Sequence, residues 1–188
     1  MIESLSQSLE DVEASLVARM FGARLREDDL YALLEHLNRP TLYRFTGVYR
    51  YEPGWVVSVA LYDRQSPLVR LGSDVKMKES YCWLTGVTGA RYIIEDATRD
   101  PRLGGHAARD AVRAYIAVTL HDCSGTPWGT LCHFDFEPRG ADIAALDRLD
   151  VLRPLVEEMF VRDKHADWNP DAPSVQRAAP LVLRPITA

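Results

Sequence analysis

The stretch that decides the fold is AYIAVTLHDCSGTPWGTLCHFDF, residues Ala114–Phe136. Ala114–His121 is an apolar run with β-branched and aromatic residues, and Trp128–Phe136 is a second. Between them lies Asp122-Cys123-Ser124-Gly125, whose residue types are those of a tight turn. Two such runs joined by a short Gly-containing turn predict an antiparallel hairpin. Alternation in the second run sends Thr130, Cys132, Phe134 and Phe136 to one face and Leu131, His133 and Asp135 to the other. The first set reads as core, with Cys132 as a small buried hydrophobe. His133 with Asp135 is a candidate for lining a cavity.

Upstream, Thr41–Tyr51 and Trp55–Tyr62 repeat the pattern around a Glu52-Pro53-Gly54 turn, which predicts a first hairpin. A helix precedes it: Asp28 or Asp29 is placed to cap it, Leu30, Leu33, Leu34 and Leu37 form its stripe, and Asn38-Arg39-Pro40 ends it. Downstream, residues 142–162 return to helical period through Ile143, Leu146, Leu149, Leu152, Val156 and Phe160, with Pro154 expected to kink the helix or start a new one. Between the hairpins the expectations are a short helix over Lys78–Leu84 ended by Gly86 and Gly89, a strand over Arg91–Glu95, a polar loop over Asp96–Gly105 and a helical turn over His106–Ala111. Residues 68–76 carry no clear pattern. Hairpins at both ends, rather than regular helical crossovers, predict an α+β domain with a mainly antiparallel sheet. The terminal helices would cover one face and residues 64–113 the other. Ile2, Leu5, Leu9, Val12 and Leu16 place a heptad seam on an N-terminal helix, which can pack on its own domain or pair with its copy. The expected organisation is an N-terminal helix within 1–27, one domain over 28–165, and a Pro-containing tail over 166–188.

At 188 residues, 47% hydrophobic and 26% charged, the chain can bury a core without disulfides or metal. With 22 basic and 27 acidic residues the net charge is −5, which disfavours nucleic acid as a partner, since duplex binding rests on Lys and Arg neutralising phosphates. Cys82, Cys123 and Cys132 are an odd number with no C-x-x-C spacing. The N-terminus has no basic region followed by an apolar run, and no stretch approaches the roughly 20 apolar residues of a membrane span. These features predict a cytoplasmic protein with reduced thiols and no membrane partner.

Nucleotide, zinc-protease and serine-hydrolase motifs are absent, and no set of residues has the spacing of a zinc site. Cys82, in Tyr81-Cys82-Trp83 near a predicted helix start, is a thiol that such a position can activate. The most suggestive segment is Arg91–Arg113, which holds Asp96, Arg99, Asp100, Arg102, His106, Arg109 and Asp110 among few apolar residues. It reads either as a solvated loop or as a loop closing a polar hollow against the sheet, with Arg and His offering donors to a ligand.

Glu79-Ser80-Tyr81-Cys82-Trp83, Ile94–Arg102 (IEDATRDPR), Ala114–Leu120 and Gly125–Cys132 with Asp135 follow in an order and at separations that resemble the GAF domain family over roughly residues 28–162. The resemblance implies a central antiparallel sheet of five or six strands, with terminal helices on one face that often form a dimer bundle. It implies loops and short helices over a pocket on the other. Carried onto matching positions, it implies a pocket lined by Tyr81, Cys82, Asp96, Asp100, Arg102, His106, Tyr115 and His133. The cyclic-nucleotide signature of the family is missing, so the cofactor and ligand are left unknown. The preferred reading is a non-enzymatic small-molecule sensor that signals as a homodimer or through a separate output protein. Two alternatives stand beside it: a thiol-dependent reductase such as a free methionine sulfoxide reductase, in which Cys82 and Cys132 meet in the pocket, and a dimerising interaction module with a vestigial pocket.

Overall fold

The computed structural model describes residues 27–89 and 91–160. The heptad helix and the Pro-containing tail lie outside them. Helix α1 spans Glu27–Asn38, so Asp28 and Asp29 stand inside its first turns and not at its cap. Its C-terminus is closed from across the chain. Arg64 donates from Nε to Asn38 Oδ1 (3.0 Å) and from Nη2 to the Asn38 and Thr41 carbonyls (both 2.6 Å), adding to the bonds that Thr41 makes to the Asn38 carbonyl at the helix end. Asn38 Nδ2 donates in turn to the Tyr43 carbonyl and to Thr46 Oγ1. The Thr41 and Tyr43 carbonyls are taken up by this network, and the first strand starts at Phe45 and not at Thr41.

Six strands follow: β1 Phe45–Glu52, β2 Trp55–Asp63, β3 Val75–Lys76, β4 Tyr92–Ile94, β5 Ala114–His121 and β6 Pro127–Asp135. They form one sheet in the order β3-β2-β1-β6-β5-β4, antiparallel at every pairing. Both predicted hairpins are present, with Gly54 (φ 76°) and Gly125 (φ 82°) at their turns in the left-handed region that glycine adopts without strain. The central pairing is β1 with β6, which joins the two hairpins into one layer. A register shift opposite Val48/Tyr49 gives β2 one extra residue, and Val59 and Ala60 both turn toward the helices there.

The sheet separates two apolar clusters. On one face α1 and helix α3 (Ile143–Phe160) bury Leu30, Leu33, Leu34, Leu37, Leu146, Leu149, Leu152 and Val156 against Val48, Ile116, Val118, Leu120 and Leu131. Asp142 caps α3, accepting from Ala145 N at 2.8 Å. The helix runs unbroken through Pro154, and Ile143, expected in its stripe, is half exposed in the first turn while Ala145 is buried. On the other face helix α2 (Tyr81–Thr88) and the 92–113 segment lie over Phe45, Tyr49, Tyr51, Tyr115, Ala117, Cys132 and Phe134. Ser80 caps α2 through its side chain, and Gly89 ends it in a left-handed turn (φ 62°). Gly86 is therefore interior to the helix. A Cβ there would stand 2.7 Å from the Tyr51 hydroxyl, so the position needs glycine for close approach and not for termination. The terminal-helix face and the loop face are arranged as the sequence predicts. No helix among the described residues is long and apolar enough to cross a membrane.

Candidate functional site

The loop-covered face is incompletely filled. A pocket of about 340 Å³ opens between the sheet and its cover. Its floor comes from alternate strand residues: Tyr49 of β1, Tyr115 of β5, Cys132 and Phe134 of β6, with Phe136 just beyond. Strand pleating puts these side chains on one side, and the size of the aromatic rings holds the cover away from the backbone. The rest of the lining is the 73–75 stretch together with Glu79, Ser80, Tyr81 and Cys82, joined through the Tyr81 hydroxyl to a wall of Ala107, Ala108, Ala111 and Val112.

Cys82 and Cys132 face each other there, one from the start of α2 and one from the middle of the sheet. The Tyr115 hydroxyl donates to Cys82 Sγ at 3.5 Å and is also within 3.2 Å of Thr85 Oγ1. The Cys132 thiol donates to the Gly47 carbonyl at 3.6 Å. Hydrogen bonding from Cys132, together with bonds at Thr130, Tyr115 and Ser80, outweighs burial and pulls Cys82 down to about 6. Burial, reinforced by the neighbouring Cys82, pushes Cys132 well above the ordinary thiol range. Cys82 is thus the more acidic thiol of the pair. Burial also raises Tyr49 and Tyr115, which keeps their hydroxyls protonated and available as donors.

Of the eight residues expected in the pocket, Tyr81, Cys82 and Tyr115 line it. His106 packs its ring on Tyr81 (centroids 4.8 Å apart) behind the wall, and its Nδ1 accepts from Ala108 N at 3.2 Å. Asp96, Asp100 and Arg102 do not reach the pocket. With Ile93, Glu95 and Arg99 they line a separate cleft of about 310 Å³. Their charges serve the loop itself. Asp96 accepts from Thr98 N and from Arg113 Nε and Nη2 at 2.9–3.1 Å. Asp100 accepts from Arg102 N and from its guanidinium, which holds its carboxyl below the usual carboxylate range. Arg102 also donates to the Ile93 carbonyl at 2.8 Å.

His133 is on the opposite face. Its Nδ1 is 2.7 Å from Thr46 Oγ1 and its ring stacks on Tyr43 at 5.8 Å. Burial, with Arg148 and Arg64 nearby, pushes it down to about 3, so it is a neutral core histidine. Its partner in the cavity expectation, Asp135, accepts from Arg44 N and Arg139 Nε and pins the segments that flank β1 and β6 instead.

The expected polar hollow is thus largely apolar and aromatic, and residues 107–112, not the charged 96–105 stretch, wall it. Tyr49, Asp74, Glu79, Phe134 and Phe136 are pocket residues to which the sequence does not point, and Cys132 enters the pocket there only through the reductase alternative. Alternation had already grouped Cys132, Phe134 and Phe136 on one face, where the same pattern serves a sealed core. Asp74 lies in the stretch without periodicity and carried no signal. No group of three or more His, Cys, Asp or Glu side chains suited to a metal ion occurs among the described residues.

No protein-family model matches the chain, and no curated protein does. Solved structures match over most of its length. A free methionine-R-sulfoxide reductase from Neisseria meningitidis, in complex with its substrate, superposes at TM-score 0.61 with 17% identity, over 81% of this chain and 87% of the other. The GAF domain of an Acinetobacter phosphoenolpyruvate-protein phosphotransferase gives 0.61 with 14% identity, over 79% and 90%. The phycoerythrobilin-bound GAF domain of a cyanobacterial phytochrome gives 0.62 with 15% identity, over 81% and 94%. At such identities the shared property is architecture: this chain has the GAF fold.

Proposed function

We propose that the chain is a non-enzymatic sensor that binds a small molecule in the pocket between the sheet and the 107–112 wall and passes its occupancy to a second copy or a separate output protein. The observation that carries this reading is the 340 Å³ hollow itself, on a sheet whose other face carries a buried aliphatic cluster. Its size and aromatic lining fit a drug-sized ligand, and the few polar atoms pointing in are placed to orient one. The phycoerythrobilin-bound structure of the same fold is one instance of an occupied GAF domain.

The test is thermal-shift screening of the purified protein against amines, amino acids, nucleotides and tetrapyrroles, repeated on Ala108→Phe, which fills the pocket from its wall. A stabilising compound whose effect vanishes in the variant supports the reading. Equal shifts in both proteins, or none from any class, overturn it.

One observation favours a second reading. Cys82 and Cys132 share the pocket, and the same fold carries free methionine-R-sulfoxide reductases. In such a reaction the Cys82 thiolate would attack the sulfoxide sulfur, releasing the thioether and leaving a sulfenic acid on Cys82. The Cys132 thiol would then condense with it to a disulfide and water, and an external dithiol would restore both thiols. Reduction of free methionine sulfoxide with dithiothreitol that is lost in Cys82→Ser supports this; unchanged turnover in that variant removes it.

A further inference from the structure

The chemical class of the ligand follows from which charges line the pocket and which do not. Among the described residues that line it there are two carboxylates, Asp74 and Glu79, and no Lys, Arg or His. The carboxylates stand on one rim, within residues 73–80. The 107–112 wall carries only alanine and valine, and the floor is mostly aromatic. Basic groups nearby are directed elsewhere. Arg109 donates to the Ala97 and Thr98 carbonyls, and His106 lies behind Tyr81. Lys76 is 3.7 Å from Glu79, but both side chains are about half exposed or more (65% and 49%), where pairing is weak and screened. Asp74 is half-buried and oriented, its Oδ1 accepting from Ser58 N at 3.0 Å.

Such a lining disfavours anions. A carboxylate or phosphate entering here would meet like charge and no side-chain cation to replace its lost water. A cation meets the reverse. The faces of Tyr49, Tyr81 and Tyr115 are electron-rich, and an ammonium group near them gains attraction that grows as water is excluded. We infer that the ligand is a small amphiphilic monocation, an apolar or aromatic body bearing one amine, with the amine at the Asp74 rim and the body between Phe134 and the alanine wall. This rests on the pocket being a ligand site, and the experiment separates the two claims.

The probes are 3-phenylpropylamine, 3-phenylpropanol and 3-phenylpropionate, matched in body and differing in head group, measured by calorimetry on the full chain at low and high salt. The expected result is that the amine binds at least about tenfold tighter than the alcohol, that the carboxylate binds weakest, and that salt narrows the gap. Asp74→Asn, which keeps an acceptor for Ser58 N, weakens amine binding about fivefold and leaves the alcohol unchanged. Equal binding of amine and alcohol, or tightest binding of the carboxylate, overturns the charge assignment while leaving a ligand pocket in place. Failure of all three to bind overturns the assignment and counts against the pocket as well.

Discussion

The two faces of this sheet are built from alternate residues of the same strands, yet one is filled and the other is hollow. Against the helices stand Val48, Ile116, Val118, Leu120 and Leu131, branched aliphatic side chains of similar reach. Against the cover stand Phe45, Tyr49, Tyr115, Cys132 and Phe134, which alternate large rings with small groups. Aliphatic rows pack with the leucines of α1 and α3 into one buried cluster. Rings of unequal height beside thiols hold the cover off and leave a gap. One layer thus divides its labour: the aliphatic side supplies stability, and the aromatic side spends part of that stability on an open volume.

The strongest way to break this contrast is to cut into the filled side. Leu34→Ala removes a fully buried side chain and is expected to lower unfolding stability by about 2–5 kcal/mol in urea titration, because the tight surroundings cannot collapse around the cavity. A loss below about 1 kcal/mol would mean that the helix layer is looser than described.

The acid limb of stability is the next largest effect. His133 has a folded-state value of about 3, below its ordinary 6.5, so the unfolded chain takes up the proton first as pH falls. Its contribution is complete above about pH 6.5 and is lost progressively toward pH 3, with a slope of at most about 1.4 kcal/mol per pH unit. Comparing the pH dependence of His133→Phe with the parent isolates it. Identical slopes would show that the histidine is not buried neutral.

Substituting on the hollow side should cost less. Phe134→Leu already borders empty space and is expected to destabilise by about 1 kcal/mol, with a larger proportional effect on pocket binding than on melting. A loss matching that of Leu34→Ala would erase the distinction between the faces.

The smallest effect on stability is the most local. Alkylation of Cys82 by iodoacetamide should follow a thiolate that titrates near 6, and Tyr115→Phe, which removes a hydrogen bond to Sγ, should move that midpoint upward with little change in melting temperature. A midpoint in the ordinary thiol range for both proteins would show that the Cys82–Cys132 contact does not favour the thiolate.

The hairpins, the α1 stripe, the split into two faces and the GAF-like layout were readable because each rests on local periodicity or a turn residue. The site was readable only in part. Tyr81, Cys82 and Tyr115 stand in motif-bearing stretches and were found. Asp96, Asp100 and Arg102 attracted attention by charge, but their charges close the loop's own backbone and one another. His133 was misassigned to the cavity because alternation says that two residues differ in face without saying which face is hollow. Asp74 could not be found at all: its place at the rim is set by β3 pairing at the sheet edge, a long-range contact with no local trace.

Cys132 and His133 are neighbours in sequence, one lining the pocket and the other buried on the opposite face against Thr46 and Tyr43. The layer between the two compartments is a single strand thick, and a rigid strand cannot shift one row of side chains without the other. β6 is therefore a party wall, one backbone carrying both the floor of the chamber and side chains of the helix-covered core.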